Sequence, residues 1–196
     1  KHEFKKTNQA SPFLGISSNN HWIYFQIKNT SNKKINIFYE LTLFYLDETS
    51  FYEVKNKKPI LKYSLGDLSK FSNRPYDNRF LIYPITMGPK EIKKILLKVN
   101  AWEVIELEAN LLNQKKLRNK EMNNKLFYGL IFGSLLIMSF YNLFIFFSLK
   151  DNSYSIYSLV IFSNLLYVIY LSGYGNEYIW GNSPWLNNIL YNFFHC

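Results

Sequence analysis

A short segment in the first half of the chain, NRPYDNRFLIYPI, concentrates side chains that can grip a small molecule. Arg74, Tyr76, Asn78 and Arg79 lie beside Pro75 in a turn-rich stretch, and loops often carry binding residues. The guanidinium groups supply forks of donors, and the phenol and amide add further hydrogen-bonding groups. The pattern predicts a site for hydroxyl or carboxylate groups. The alternative is a solvated loop in which one arginine pairs with an acid.

The other polar residues give little support to catalysis or metal binding. The three histidines, His2, His21 and His195, are scattered, and their spacing does not suit a metal ion. The sequence has neither a glycine-rich phosphate loop nor a nucleophile elbow. The single cysteine, Cys196, excludes an intramolecular disulfide and a cysteine-rich metal site. We therefore expect this chain to be neither an enzyme nor a cofactor-binding protein.

The charges divide the chain into two parts. Residues 1–125 hold 22 of the 23 Lys and Arg residues and 12 of the 14 Asp and Glu residues, which gives them a net charge of +10. The remainder carries −1, from Lys150, Asp151 and Glu177. This partition predicts a water-soluble domain followed by membrane spans. The basic domain has no readable recognition element for nucleic acid, so nucleic acid is not an expected partner.

Two uncharged runs are long enough to cross a membrane. Residues 126–149 would extend roughly 36 Å as a helix, and a hydrocarbon core is about 30 Å thick. A second run covers residues 152–176. The connection between them is so short that the two helices should form an antiparallel hairpin. The aromatic stretch 173–188 suits a loop at the headgroup level, and Ser183-Pro184 predicts the start of a third helix.

Small and polar residues within the spans predict helix packing. Asn142 and Asn164 would cost energy facing lipid, so we expect them to form hydrogen bonds between helices; a signalling switch is the alternative. Gly129 and Gly133 have the four-residue spacing that lets helices approach closely. A transporter or membrane enzyme would need ionisable residues inside the spans, and neither run contains one.

The first part of the chain alternates with the period of β-strands. In the stretch HWIYFQIK, Ile23, Phe25 and Ile27 share one face and Trp22 lies on the other. Two further runs alternate in the same way, over residues 35–45 and 95–99. Several short strands in about 100 residues favour a two-sheet sandwich. Trp22 could stack on a sugar ring, but a Trp in such a strand is more often a packing residue.

Residues 108–125 connect the two parts. The alternation stops there, helix formers increase, and Leu111, Leu112 and Leu117 have near-helical spacing, which predicts a helix that continues into the first span. Its basic residues would contact anionic headgroups or form a solvated face. Basic residues are concentrated before the first span, and only Lys150 lies on its far side. This distribution alone places the domain in the cytoplasm. A chain that begins at Lys1 is expected to be a processed or trimmed form, however, and a lost signal sequence would export the domain regardless of charge.

Taken together, these segments resemble a known family, the bacterial seven-transmembrane receptors with diverse intracellular signalling modules (7TMR-DISM). In the membrane part the resemblance rests on LFYGLIFGSLLIMSFYNLFIFFSLKDNSY and GYGNEYIWGNSPWLNN. In the first part it rests on HWIYFQIKN and on NRPYDNRFLIYPI. The sequence departs from the family pattern at Asn78, where a histidine is expected, and at Phe80, where an asparagine is expected.

The resemblance implies a periplasmic, jelly-roll-like sensory domain over residues 1–107 and a juxtamembrane helix or linker over 108–125. Residues 126–196 would hold two transmembrane helices, an interfacial loop and the start of a third helix of a truncated bundle. The protein would be a multi-pass receptor of the bacterial inner membrane. It would detect a carbohydrate-like small molecule and signal to a cytoplasmic histidine kinase, diguanylate cyclase or phosphatase module.

The alternative is a membrane-anchored binding or adhesion module whose spans only hold the domain in place. Membrane lipid and a small-molecule ligand are the expected partners, and a homodimer is left open.

Overall fold

The computed structural model describes residues 4, 6, 11–16, 19–43, 46–101 and 104–195. In these residues nine strands precede four α-helices. The strands are β1 (Phe13–Ile16), β2 (His21–Lys28), β3 (Ile35–Leu41), β4 (Glu48–Lys55), β5 (Lys58–Leu65), β6 (Leu81–Met87), β7 (Ile92–Asn100), β8 (Val104–Glu106) and β9 (Ala109–Asn113). The helices are α1 (Gln114–Leu149), α2 (Asn152–Leu171), α3 (Tyr174–Tyr178) and α4 (Pro184–His195), and a short 3-10 turn covers Phe71–Asn73.

The strands form antiparallel sheets, as the alternation predicts. One sheet has the order β2-β7-β4-β5, the second has the order β6-β3-β9, and β1 pairs with β8 in a two-stranded ribbon. Stacked rings join the two larger sheets: Phe25 lies 4.9 Å from Tyr39, and Phe51 lies 4.8 Å from Tyr83, measured between ring centroids. The predicted sandwich-like domain followed by long apolar helices is thus confirmed, while the jelly-roll connectivity stays a prediction.

The burial pattern of β2 follows the predicted alternation. Ile27 is buried and Trp22 and Tyr24 face solvent. The core between the sheets contains mainly aliphatic and aromatic side chains, including Leu41, Phe51, Leu81, Tyr83, Ile95, Leu97 and Val99. Burying such side chains on one face of each strand provides the main stabilisation of the domain. Tyr45, at the end of the second predicted run, lies outside the described residues.

A tight hairpin joins β4 to β5. Lys55 pairs with Lys58, so only Asn56 and Lys57 form the turn, with φ angles of 50° and 61°. Positive φ at both central residues is the type I′ geometry that matches the twist of the flanking strands, and asparagine tolerates it well. The hairpin therefore holds the two turn residues in a defined position at the end of the four-stranded sheet.

The segment before the first span differs from the prediction. A helix is expected from residue 108, whereas residues 109–113 form β9, which pairs with β3 from Leu41↔Ala109 to Ile37↔Asn113. Pairing with an existing strand outweighs the weak helical preference of this leucine-containing stretch. Helix α1 begins at Gln114, and the side chain of Asn113 caps it by accepting a hydrogen bond from the amide of Lys116 at 2.8 Å. The last strand residue is therefore also the helix cap.

Helix α1 is one continuous element of 36 residues, roughly 54 Å long at about 1.5 Å per residue. Its amino-terminal third is polar, and its remainder and α2 are long and apolar enough to cross a membrane. Lys150, in the left-handed conformation, and Asp151, which caps α2, form the connection. Helix α4 begins at Pro184, as predicted, whereas the short helix α3 lies within the predicted loop.

Candidate functional site

The residues predicted to bind a ligand lie where the β-domain meets the membrane helices. They belong to the segment 74–80, here called the junction loop, between the 3-10 turn and β6. Arg74 folds back on this loop: its Nη1 donates to the carbonyl oxygens of Asn78 at 2.6 Å and Arg79 at 3.0 Å. Burial lowers the pKa of Arg74 to about 10, so its guanidinium stays charged at neutral pH. Arg74 thus shapes the loop.

Arg79 connects the loop to three helices. Its backbone N–H donates to the Glu177 carboxylate at 3.0 Å, and its Nη1 donates to the carbonyl oxygen of Ser172 at 2.7 Å. Its guanidinium carbon lies 4.7 Å from the ring centroid of Tyr128 in α1 and 4.6 Å from that of Tyr174 in α3. The side chain is only 6% exposed. A desolvated cation between aromatic faces contributes about 2 kcal/mol or more. Arg79 therefore stabilises the contact between the loop and the helices.

Asn78 and Tyr76 hold the polar start of α1. Asn78 Nδ2 donates to one oxygen of Glu121 at 2.7 Å, and Tyr76 Oη donates to the other at 3.3 Å. Burial, with the Glu121 carboxylate beside it, raises the pKa of Tyr76 and keeps the phenol protonated as a donor. Both oxygens of this helix carboxylate are therefore held by the loop.

Two charge pairs lie beside these hydrogen bonds. Lys120 in α1 pairs with the Glu40 carboxylate in β3, which is 1% exposed, and Lys125 lies 3.6 Å from Glu177. A buried carboxylate that loses its partner is costly, so Glu40 favours the position of α1 that keeps Lys120 close. These contacts and those of Arg79, Asn78 and Tyr76 are together called the junction.

The space between the junction loop and the polar start of α1 is small. The cavity lined by Glu40, Asn78, Arg79, Glu121 and other residues of the junction has a volume of about 10 Å³, which suits at most one water molecule. Tyr76 Oη, Asn78 Nδ2 and the Nη1 atoms of both arginines already have partners within the chain. The structure thus brings the four predicted residues together. Their ligand-binding role stays a prediction, and the cavity beside them is too small for a sugar.

Sequence reasoning missed the residues that complete the junction. Glu177 is one of only three charged residues after Lys125, and a charge retained next to apolar spans is a signal of function. It lies 98 positions from Arg79 in the chain. Glu121 and Lys120 belong to a mainly basic run that resembles any solvated helix face, and their sequence carries no comparable signal.

The residues predicted for helix packing have varied surroundings. The amides of Asn142 and Asn164 donate to carbonyl oxygens one turn earlier in their own helices, at 2.9 Å each. A Cβ atom at Gly129 or Gly133 would meet no atom within 4 Å among the described residues. Hydrogen bonds between α1 and α2 are made by Ser139 and Ser158, each of which donates to the carbonyl oxygen of the other. The packing roles of the asparagines and glycines stay predictions.

A second polar surface lies on the outer face of the four-stranded sheet. Trp22 and Tyr24 are 46% and 41% exposed there, and Trp22 lies 5.9 Å from Tyr52 between ring centroids. Beside Tyr24 is an open groove with a volume of about 720 Å³. No group of three or more His, Cys, Asp or Glu residues that could hold a metal ion occurs in the described part of the chain.

Both halves of the molecule match known domain families. Residues 1–113 match the family described as 7TMR-DISM extracellular 2, and residues 124–196 match the family described as 7TM diverse intracellular signalling. A search of curated proteins found no match. The two matches place an extracellular domain directly before the transmembrane segments, and the junction lies between them. The chain therefore belongs to the seven-transmembrane receptors with diverse intracellular signalling modules, and its β-domain lies outside the membrane.

Proposed function

We propose that this chain is the ligand-sensing and transmembrane part of a bacterial receptor of the inner membrane. Its β-domain, in the periplasm, detects a carbohydrate-like small molecule, and α1 and α2 relay that event to a cytoplasmic output domain. The chain itself carries no catalysis in this proposal. Ordering or displacing the β-domain by a ligand changes the preferred position of the helices, as in other two-state switches.

The observation that carries the proposal is the set of contacts made by Arg79. One residue of the β-domain touches α1 through Tyr128, the end of α2 through Ser172, and α3 through Tyr174. An anchored domain that only binds needs no such fixed contact with several helices. Strand β9 also passes into α1 without a linker, so a movement of the sheet is transmitted to the helix.

An adhesion or binding module is the second candidate, and the exposed aromatic face of the four-stranded sheet is compatible with it. The two functions differ in what a weakened junction does. In an adhesion module the membrane helices hold the domain, so loosening Arg79 leaves binding and any downstream activity unchanged. In a receptor the same change separates sensing from output.

The test is Arg79→Lys in the full-length receptor, with output measured in cells under conditions that switch the intact receptor on and off. Lysine keeps the charge but loses the flat guanidinium that contacts several rings. Because couplings between sites are typically about 1–3 kcal/mol, the ratio of on to off output should fall about fivefold or more. Arg118→Lys, the same exchange at an exposed position of α1, is the control and should leave that ratio unchanged. An unchanged ratio in Arg79→Lys, at normal membrane abundance, would favour the adhesion module.

A further inference from the structure

The outer face of the four-stranded sheet is built in cross-strand rows. The register aligns Trp22 with Lys98 and Ser50, Tyr24 with Leu96 and Tyr52, and Gln26 with Lys94 and Val54. Residues on one face of neighbouring strands lie close enough to contact one ligand together. The first two rows carry Trp22, Tyr24 and Tyr52 and are here called the aromatic half. The third row, with Gln26 and Lys94, is called the polar half.

The open groove lies over the polar half. Its lining comprises Tyr24, Gln26, Val54, Asn56, Lys57, Ile92 and Lys94, and its volume of about 720 Å³ falls within the range of small-molecule sites. The hairpin between β4 and β5 provides one wall, since Asn56 and Lys57 are the two residues of its type I′ turn. The Lys55–Lys58 pair closes the turn and fixes its length at two residues. The groove is therefore a formed feature of the fold.

Two contacts orient the aromatic wall of the groove. Gln26 Nε2 donates to the Tyr24 hydroxyl at 2.9 Å, and Phe4 lies 6.2 Å from the Tyr24 ring between centroids. The Tyr24 ring thus presents an apolar surface beside amide groups. A sugar ring offers the matching combination, with C–H groups on its face and hydroxyl groups at its edge.

The charge of the groove is positive. Lys57 and Lys94 line it, and its described lining contains no Asp or Glu. In the described part of the chain neither lysine has an acidic partner, unlike Lys98, which lies 3.1 Å from Glu48 at the other end of the face. Glu53, the residue before Val54 in β4, is already paired with Lys93, Lys55 and Lys62. A ligand in the groove therefore meets two cations that are not neutralised.

From this arrangement we infer that the groove binds an acidic saccharide, a sugar with a carboxylate, sulfate or phosphate group, and not a neutral one. The inference rests on the proposed sensing function and specifies the class of ligand. The ring packs against Tyr24, the hydroxyl groups bond to the amides of Gln26 and Asn56, and the anionic group pairs with Lys94 and Lys57. Charge-assisted hydrogen bonds of this kind are the strong ones in polar recognition.

The test is binding of trigalacturonate and of maltotriose to the full-length protein in nanodiscs, measured by calorimetry at low and moderate salt. Trigalacturonate should bind at least about tenfold more tightly than maltotriose, as expected for one charge-assisted contact. Its affinity should also fall with added salt, because exposed charges are screened. Lys94→Gln with Lys57→Gln should remove this preference. Lys116→Gln, which removes a positive charge from α1 outside the groove, should retain it.

The outcomes separate the two proposals. Equal binding of both sugars would overturn the acidic class, and trigalacturonate binding that is unaffected by the two lysine exchanges would overturn the groove as its site. Either result leaves carbohydrate sensing in place. Binding of neither sugar by a protein with an intact thermal transition would overturn the inference about the groove, while the sensing proposal is tested separately by the output of Arg79→Lys. Tyr24→Ala should weaken trigalacturonate binding, and unchanged affinity in that variant would also contradict the site.

Discussion

Arg79 shows why a single residue type can join two very different environments. A guanidinium group is planar, delocalised and weakly hydrated, so it can face aromatic rings and still donate hydrogen bonds at its edge. Arg79 uses both properties, against Tyr128 and Tyr174 on its faces and against the carbonyl oxygen of Ser172 at its edge. An ammonium group would satisfy the charge but only part of this geometry.

Glu53 makes the β-domain sensitive to acid. Its side chain is 9% exposed and lies 3.0 Å from Lys93 and 3.5 Å from Lys55. Burial raises the pKa of Glu53, but the hydrogen bond from Lys93 and the charges of the surrounding lysines outweigh it, so the pKa lies below its ordinary value of 4.5. The stabilisation is therefore fully present above pH 4.5 and is lost as the pH falls through the lower folded-state pKa.

We predict that Glu53→Gln flattens this dependence. Urea unfolding of the protein in nanodiscs should show a loss of stability below pH 4.5 that is smaller in the variant. Glu48→Gln is the control. The Glu48 carboxylate pairs with Lys98 but is 49% exposed, and exposed ion pairs contribute about 0–1 kcal/mol to stability. A Glu53→Gln protein that retains the full acid sensitivity would show that another group is responsible.

The candidate site illustrates what single residues can indicate. Arg74, Tyr76, Asn78 and Arg79 are recognisable because several donors follow one another beside a proline, and the structure does bring them together. Their partners are not recognisable, since Glu177 approaches from a distant part of the chain. Local sequence identifies groups able to bind something; whether that partner is a ligand or the protein itself depends on long-range folding.

At the scale of elements, the junction depends on close backbone approach between the β-domain and the segment after α3. The amide of Phe71 donates to the carbonyl oxygen of Gly181 at 2.8 Å. A Cβ atom at Gly181 would lie 2.6 Å from Cβ of Phe71 and would also collide with the carbonyl oxygen of Asn176. Only glycine allows this contact without movement of the backbone.

We predict that Gly181→Ala opens the junction, at a cost of about 1–3 kcal/mol as for other overpacked sites. Hydrogen exchange of peptides covering residues 70–80 should become faster, because the Phe71 amide loses its acceptor. Gly88→Ala is the matched control, since its nearest neighbour, Glu91 Oε2, lies 3.5 Å from the added Cβ. Unchanged exchange in Gly181→Ala would mean that the segment after α3 does not hold the loop.

Some elements are predictable from pattern and others are not. Strand β2 alternates clearly because it buries one face, β3 and β7 place apolar residues at alternate core positions, and Ser183-Pro184 correctly marks the start of α4. Strand β9 carries adjacent leucines, Leu111 and Leu112, so its pattern does not alternate. Its strand conformation comes from pairing with β3, a contact between distant segments.

At the scale of the whole molecule, the β-domain lies outside although the basic residues beside the first span predict a cytoplasmic location. Residues 1–125, which include the β-domain, carry a net charge of +10. Basic residues next to a span usually remain in the cytoplasm. Long domains are nevertheless exported largely regardless of charge. The junction also uses some of the flanking charges, because Lys120 and Lys125 are paired with Glu40 and Glu177.

The most direct test of a sensor outside the membrane with helices leading inward is cysteine labelling of the full-length receptor in spheroplasts. The background is a variant in which Cys196 and any other cysteine are replaced by serine. Lys34→Cys, before β3, should react with a membrane-impermeant maleimide in intact spheroplasts. Lys150→Cys, between α1 and α2, should react only after permeabilisation, and Ile137→Cys and Phe162→Cys, within the spans, should stay largely unlabelled. Labelling of position 150 from outside with position 34 protected would contradict the account.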